Sequence, residues 1–114
     1  MSGHGPIPTE VRLAVDARER RLCLRCGARG REIHHRVRRR EGGHALSVCI
    51  LLCLTCHRWA HAHPTEAKLY GFIVPPWRDA LIRPVKSYRG WMYLDDEGAY
   101  TFTDAPDETE AEPL

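Results

Sequence analysis

From Thr9 onward apolar residues recur at helical spacing: Val11, Ala14, Val15 and Ala17 fall near one face, Thr9 can cap, and Glu10 suits the positive end. The pattern predicts a helix from Thr9 to about Arg21. Glu32 to Val37 reads as a short strand, followed by an arginine-rich stretch and a Gly42-Gly43 turn. Ala45 to Leu52 is apolar throughout except for Ser47, which predicts a buried second strand. A helix from Thr55 to about His63 is expected next, stopped by Pro64, and Thr65 to Tyr70 predicts a further turn or two with Gly71 as its end signal. Pro75, Pro76 and Pro84 break the chain around Trp77. Alternating aromatic and aliphatic residues from Trp91 to Phe102, flanking Asp95-Asp96-Glu97-Gly98, predict a hairpin. The expected class is α+β.

Composition fits this picture and narrows it. A chain of 114 residues with 43% hydrophobic and 28% charged residues is sized and composed for one globular domain. No apolar run approaches the roughly 18–20 residues that span a bilayer, and no basic-then-apolar leader pattern opens the chain. Membrane and secretory readings are set aside, and a cytoplasmic location is expected. The formal net charge of +2 is a cancellation. Residues 1–94 carry all 17 Lys+Arg against 7 Asp+Glu, whereas residues 95–114 carry 8 Asp+Glu and neither Lys nor Arg. The positive charge is mostly arginine, whose planar fork suits phosphate, so the basic body points to a polyanion such as nucleic acid; a solubilising surface is the competing explanation.

The cysteines are more specific. Cys23-Leu-Arg-Cys26 and Cys53-Leu-Thr-Cys56 are two C-x-x-C pairs, enough for four thiolates around a tetrahedral Zn²⁺. The 26 residues between the pairs exceed ordinary ribbon spacing, so something is inserted between them. A redox pair or buried free thiols are the alternatives, and Cys49, in the apolar run, is expected in the core. Seven histidines are many for this length. His34 and His35 lie on the first predicted strand. His57 and His61, four apart on a helix, share a face and can converge on one ion. His4, His44 and His63 are expected at the surface, and Trp77 and Trp91 in packing.

These residues resemble a known family. Cys23-x-x-Cys26, Glu32-Ile33-His34-His35-Arg36, Gly42-Gly43 and Leu52-Cys53-x-x-Cys56-His57-x-x-x-His61 look like the HNH endonucleases, most of all small ones encoded by bacteriophages. The likeness covers roughly residues 11–63. It implies a small zinc-stabilised ββα-metal (His-Me finger) core, to which the pattern adds the flanking helix and the C-terminal hairpin. The expected organisation is a Gly/Pro-rich, flexible N-terminus at 1–8, the HNH domain at 9–70, an extension with the hairpin at 71–102, and an acidic, Pro-punctuated, disordered tail at 103–114. The implied function is hydrolysis of DNA phosphodiester bonds. His35 matches the general base, and His34 and His57 match the catalytic metal ligands, joined by His61. The catalytic ion would be Mg²⁺, Mn²⁺, Ni²⁺ or Co²⁺, beside structural Zn²⁺ at Cys23, Cys26, Cys53 and Cys56. Arg36, Arg38, Arg39, Arg40 and Arg58 are the expected nucleic-acid contacts. DNA is the implied partner, phage packaging or replication machinery the implied setting, and the bacterial host cytoplasm the implied location. The family's central Asn position is Val48 here, next to Ser47, and the chain contains no Asn. That departure supports an alternative, a catalytically weakened, zinc-stabilised DNA-binding accessory protein.

Overall fold

A computed structural model describes residues 6–107, apart from the side chain of Arg39. The segments 1–5 and 108–114, on which parts of the expected flexible N-terminus and acidic tail fall, lie outside the described residues.

The first helix, α1, runs Thr9–Glu19. It starts at Thr9 as expected, but Pro8, not Thr9, is the capping residue, and its carbonyl accepts from Val11 and Arg12. Arg20 and Arg21 both take positive φ and close the helix end, with the Arg21 N–H donating to Asp16 O at 2.9 Å. Val15 is fully buried, and Ile7 and Val11 pack around it. The same helix buries two charges. The Arg18 guanidinium forks onto Glu19, at 2.7 and 2.8 Å, and also donates to the carbonyls of Leu46 and Cys49. A buried pair is tolerable only when its remaining donors are satisfied, and here they fasten α1 to the strand beside it.

Strand β1 (Glu32–His35) pairs antiparallel with β2 (Cys49–Leu52), in the register Glu32↔Leu52, Ile33↔Leu51, His34↔Ile50 and His35↔Cys49. Because alternate residues face opposite ways, Ile33, Leu51 and Cys49 meet α1, and His35 shares their side. His34, Ile50 and Leu52 face the other way. The apolar run yields a shorter strand than its length suggests. Ala45–Val48 turns instead, and Val48 joins Val37, Val74 and Ala80 in a separate cluster. The arginine-rich stretch forms a single helical turn, α2 (Arg39–Gly42).

Helix α3 (Leu54–Ala62) is capped by Cys53, whose sulfur accepts from the Cys56 N–H at 3.4 Å. Cys56 and Ala60, four apart, bury one face, and α4 (Pro64–Leu69) follows with proline at its first turn. Gly71 then takes φ +84° against the Pro84 carbonyl, in space that no Cβ could share. After a short 3₁₀ turn (Ala80–Ile82) come β3 (Val85–Ser87), β4 (Gly90–Leu94) and β5 (Tyr100–Phe102) in an antiparallel sheet ordered β3-β4-β5. The expected hairpin is there, with a third strand beside it. Val85, Met92 and Leu94 from this sheet bury against Phe72, Ala60, Leu52 and Ile50, forming the main core.

The fold is α+β, with four cysteines gathered in one cluster. Among the described residues, no helix is long and apolar enough to cross a membrane.

Candidate metal centre and basic cavity

The two C-x-x-C pairs meet. Sγ atoms of Cys23, Cys26, Cys53 and Cys56 lie within 4.8 Å of one another, with Cys26 and Cys53 at 3.8 Å. Each pair forms a tight turn in which the second Cys N–H points at the first sulfur, at 3.5 Å for Cys26→Cys23. The first turn is held from two sides: the Leu24 N–H donates to Leu51 O and the Tyr88 N–H to Leu24 O. Arg25 lies 3.6 Å above the Trp59 ring centroid and donates to Cys56 Sγ at 3.3 Å. Burial raises the Cys23 thiol and pushes Cys56 up to about 12. Burial acts on Cys53 too, but the Cys56 N–H and neighbouring thiols outweigh it and bring that pKa down. The four sulfurs act together as thiolates when a cation replaces their protons. The cluster could hold a structural metal such as zinc.

The inserted segment brings the histidines to a second place. His34, on the α3 side of the ribbon, meets His57 and His61; their ring centroids are 5.0–5.5 Å apart, and one ligand nitrogen from each lies within 4.8 Å of the others. His34 is 2% exposed. Its Nε2–H donates to Phe72 O at 2.6 Å, since a carbonyl can only accept, and Nδ1 keeps the lone pair. Burial, with His57 and His61 adding repulsion, holds its pKa down at about 4 and the ring neutral. His57 is set from the opposite nitrogen: Nδ1–H donates to Glu32 Oε1 at 2.6 Å, leaving Nε2 as the ligand atom. The same hydrogen bond lowers the Glu32 pKa. A carboxylate or carbonyl behind a histidine is the usual support of a metal-bound imidazole. The donor set therefore fits a divalent ion of borderline softness better than Mg²⁺, which demands oxygen.

A cavity of about 570 Å³ opens beside this trio. His34, His35, His57 and His61 line it, as do Arg38, Lys68 and Trp77, and no carboxylate does among the described residues. His34 and His35, neighbours facing opposite sides of the ribbon, both reach it because β1 ends at His35. His35 Nε2 lies 3.1 Å from His44 Nδ1. Arg58 borders a shallower hollow with His57 and His61, and Arg40 is exposed. The Arg39 side chain lies outside the described residues.

Arg36 is a correction. Expected at a phosphate, it is 1% exposed, and its guanidinium donates to the carbonyls of Gly71 (2.8 Å), Ser47 (2.8 Å) and Arg83 (2.6 Å). Burial draws its pKa down to about 9, with Arg18 and Arg83 adding repulsion. A side chain so engaged has no donor fork to offer a ligand. Trp77 departs in the other direction: expected in packing, it is 73% exposed at the cavity rim. The sequence pattern assigns no role to Glu32 or Lys68, and His44, expected at the surface, is half-buried beside His35. Glu32 stands two residues before His34, on the same strand face, and that alternation was the available signal.

The loop around Val48 is held by hydrogen bonds to its backbone. Val48 is buried and apolar, while the Ser47 N–H donates to Asp96 Oδ1 at 3.0 Å and Ser47 O accepts from Arg36. Arg18 fastens the flanking carbonyls of Leu46 and Cys49.

No family model, curated protein or solved structure matches this chain.

Proposed function

We propose that the chain is a metal-dependent DNA endonuclease of the HNH kind, with a ββα-metal core formed by β1, β2 and α3. The observation that carries the reading is the convergence of His34, His57 and His61, two of them with the lone pair fixed by a partner on the far nitrogen, beside a fourth histidine in the same basic cavity.

His34, His57 and His61 would hold the catalytic divalent ion, which when bound supplies charge to the scissile phosphate and the leaving oxygen. His35 acts as general base. His35 Nε2 and His44 Nδ1 share one hydrogen bond; in the tautomer in which His35 donates it, Nδ1 is the nitrogen that accepts a proton from the attacking water. Imidazole is the side chain suited to this task, since it exchanges protons near neutral pH. Arg38, Lys68 and Arg58 hold the phosphate backbone around the cavity, and the four-cysteine cluster with Zn²⁺ keeps β2 and α3 in place. Arg18, Arg36 and Asp96 hold the loop where the family uses Asn. DNA is the substrate, and the bacteriophage HNH proteins the chain resembles suggest a phage setting.

Supercoiled plasmid incubated with Mn²⁺, Co²⁺, Ni²⁺ or Mg²⁺ tests this directly. Cutting is expected with the first three, weaker with Mg²⁺, and lost in His35→Ala while DNA binding persists. Cutting unchanged in His35→Ala removes the base assignment. Val48 in the family's Asn position favours a second reading, a DNA-binding accessory protein. It predicts salt-dependent affinity with no cutting under any metal.

A further inference from the structure

A third cluster of ligand atoms lies on the opposite side of the ribbon. His35, His44 and Cys49 each offer one within 4.8 Å of the others. We propose that these three residues form a second, inhibitory site for a thiophilic divalent cation, Zn²⁺ in class. Its occupation would take His35 out of the cavity's chemistry; that consequence rests on the nuclease reading, the site itself does not.

The geometry follows from the register. His35 and Cys49 are direct cross-strand partners, so their side chains leave the ribbon on one side. His44 comes from the loop between the strands and brings Nδ1 to 3.1 Å from His35 Nε2. Two imidazole nitrogens on one tetrahedral zinc stand about 3.3 Å apart, and nitrogen and thiolate about 3.6 Å. The nitrogens already match, and the sulfur needs only a small movement. Two imidazoles and a thiolate with a fourth position for water is a ligand set that prefers zinc to Mg²⁺ or Mn²⁺. The cation that suits this site is therefore not the one expected to support cutting.

The proton balance gives the site its effect. Binding releases the Cys49 thiol proton to solvent. A neutral imidazole bound through one nitrogen carries its proton on the other, so coordination of His35 through Nε2 leaves its proton on Nδ1, and coordination of His44 through Nδ1 leaves its proton on Nε2. His35 Nδ1, the nitrogen that would accept a proton from water, then carries one itself. Zinc on the far side of the ribbon thus switches off the base without touching the His34, His57 and His61 trio.

Cobalt reads this site separately from the other two. In protein whose four-cysteine cluster is already filled with zinc, a titration with Co²⁺ is followed in the near ultraviolet, where thiolate-to-cobalt charge transfer absorbs. The histidine trio has no thiolate and the zinc-filled cluster is silent, so a band is expected only from Cys49. It should be lost in Cys49→Ala and, at the same cobalt concentration, in His44→Ala, which tests the site without altering the buried strand. No band in the wild type overturns the site, and so does a band that persists in Cys49→Ala. Where cutting with Mn²⁺ is measurable, added Zn²⁺ is expected to suppress it in the wild type and far less in Cys49→Ala. Equal suppression in both overturns the link to His35. The optical titration decides the site whether or not the chain cuts DNA.

Discussion

The Nδ1–H of His57 donates to the Glu32 carboxylate at 2.6 Å, joining the start of β1 to the first turn of α3. One hydrogen bond fixes both the orientation and the tautomer of His57 and leaves Nε2 facing its histidine neighbours. Glu32→Gln keeps the length and removes the charge. It is expected to weaken Mn²⁺ or Ni²⁺ binding by about 10–100-fold, read by calorimetric titration of the zinc-filled protein. An unchanged affinity would show that Glu32 does not support the ligand.

His34 makes folding pH-dependent in a stated direction. Unfolded, the ring takes a proton near 6.5; folded, burial delays this to about 4. Within that window the unfolded chain binds the extra proton, so stability falls as pH drops from about 6.5 to about 4 and is flat with respect to this group above it. The span amounts to about 3 kcal/mol. Zinc binding at the four-cysteine cluster also depends on pH, so the measurement is a difference. Urea unfolding of wild type and His34→Gln across the window, without added catalytic metal, should give a shallower slope for the variant, which keeps a donor for Phe72 O. Parallel slopes would sink the assignment.

The four-cysteine cluster holds a turn whose Leu24 is bonded to Leu51 of β2 and to Tyr88 just after β3, in a chain whose core is small. One tightly held equivalent of zinc is expected. Structural zinc contributes about 10–16 kcal/mol in small zinc domains, which rivals the roughly 5–15 kcal/mol stability of a whole domain. Stripping it, or changing Cys26 to Ser, should abolish the near-ultraviolet circular dichroism of the packed aromatics. A metal-stripped chain with unchanged melting would leave the cluster without a structural role.

What could be read from the sequence was whatever depends on spacing. The two C-x-x-C pairs, the i, i+4 histidines of α3 and the alternation around the hairpin are local patterns, and the structure places them as their periods require. The rest depended on contacts between distant segments. Arg36 looks like a surface charge until Gly71, Ser47 and Arg83 turn their carbonyls toward it. Ala45–Val48 looks like strand because nothing local says that Val48 will leave for Val37 and Val74. β3, three residues after Pro84, is too short to show a period. His44 looked like a surface residue because its partner, His35, is reached only when β1 and the loop come together.

Two arginines two residues apart should behave oppositely. Arg36→Met strips the buried carbonyls of Gly71, Ser47 and Arg83 of their donors, at a cost of about 3 kcal/mol or more in urea unfolding. The salt dependence of DNA affinity should not change. Arg38→Ala, exposed at the cavity, is expected to shift stability by no more than about 0.5 kcal/mol and to reduce the slope of log affinity against log salt by about 1. The reverse pattern would return Arg36 to the phosphate.

Trp77 follows Pro75-Pro76 and stands 73% exposed at the mouth of the histidine cavity, with Arg38 and Lys68 lining the same space. A large, mostly exposed ring lining a cavity with two cations can stack on a flat aromatic partner, and a nucleobase is one. Stacking on an aromatic side chain contributes about 1–3 kcal/mol per base. A base must leave the duplex to stack, so the effect should depend on strandedness. Trp77→Ala is expected to weaken binding of single-stranded or nicked DNA by about 5- to 100-fold, with Trp77→Phe keeping most of the affinity and intact duplex changing little. Affinities measured by fluorescence anisotropy, with His35→Ala as background to prevent cutting, separate the cases. Equal losses on single strand and duplex would mean that the ring packs against the sugar-phosphate chain, and no loss on either would mean that the DNA path does not cross this rim.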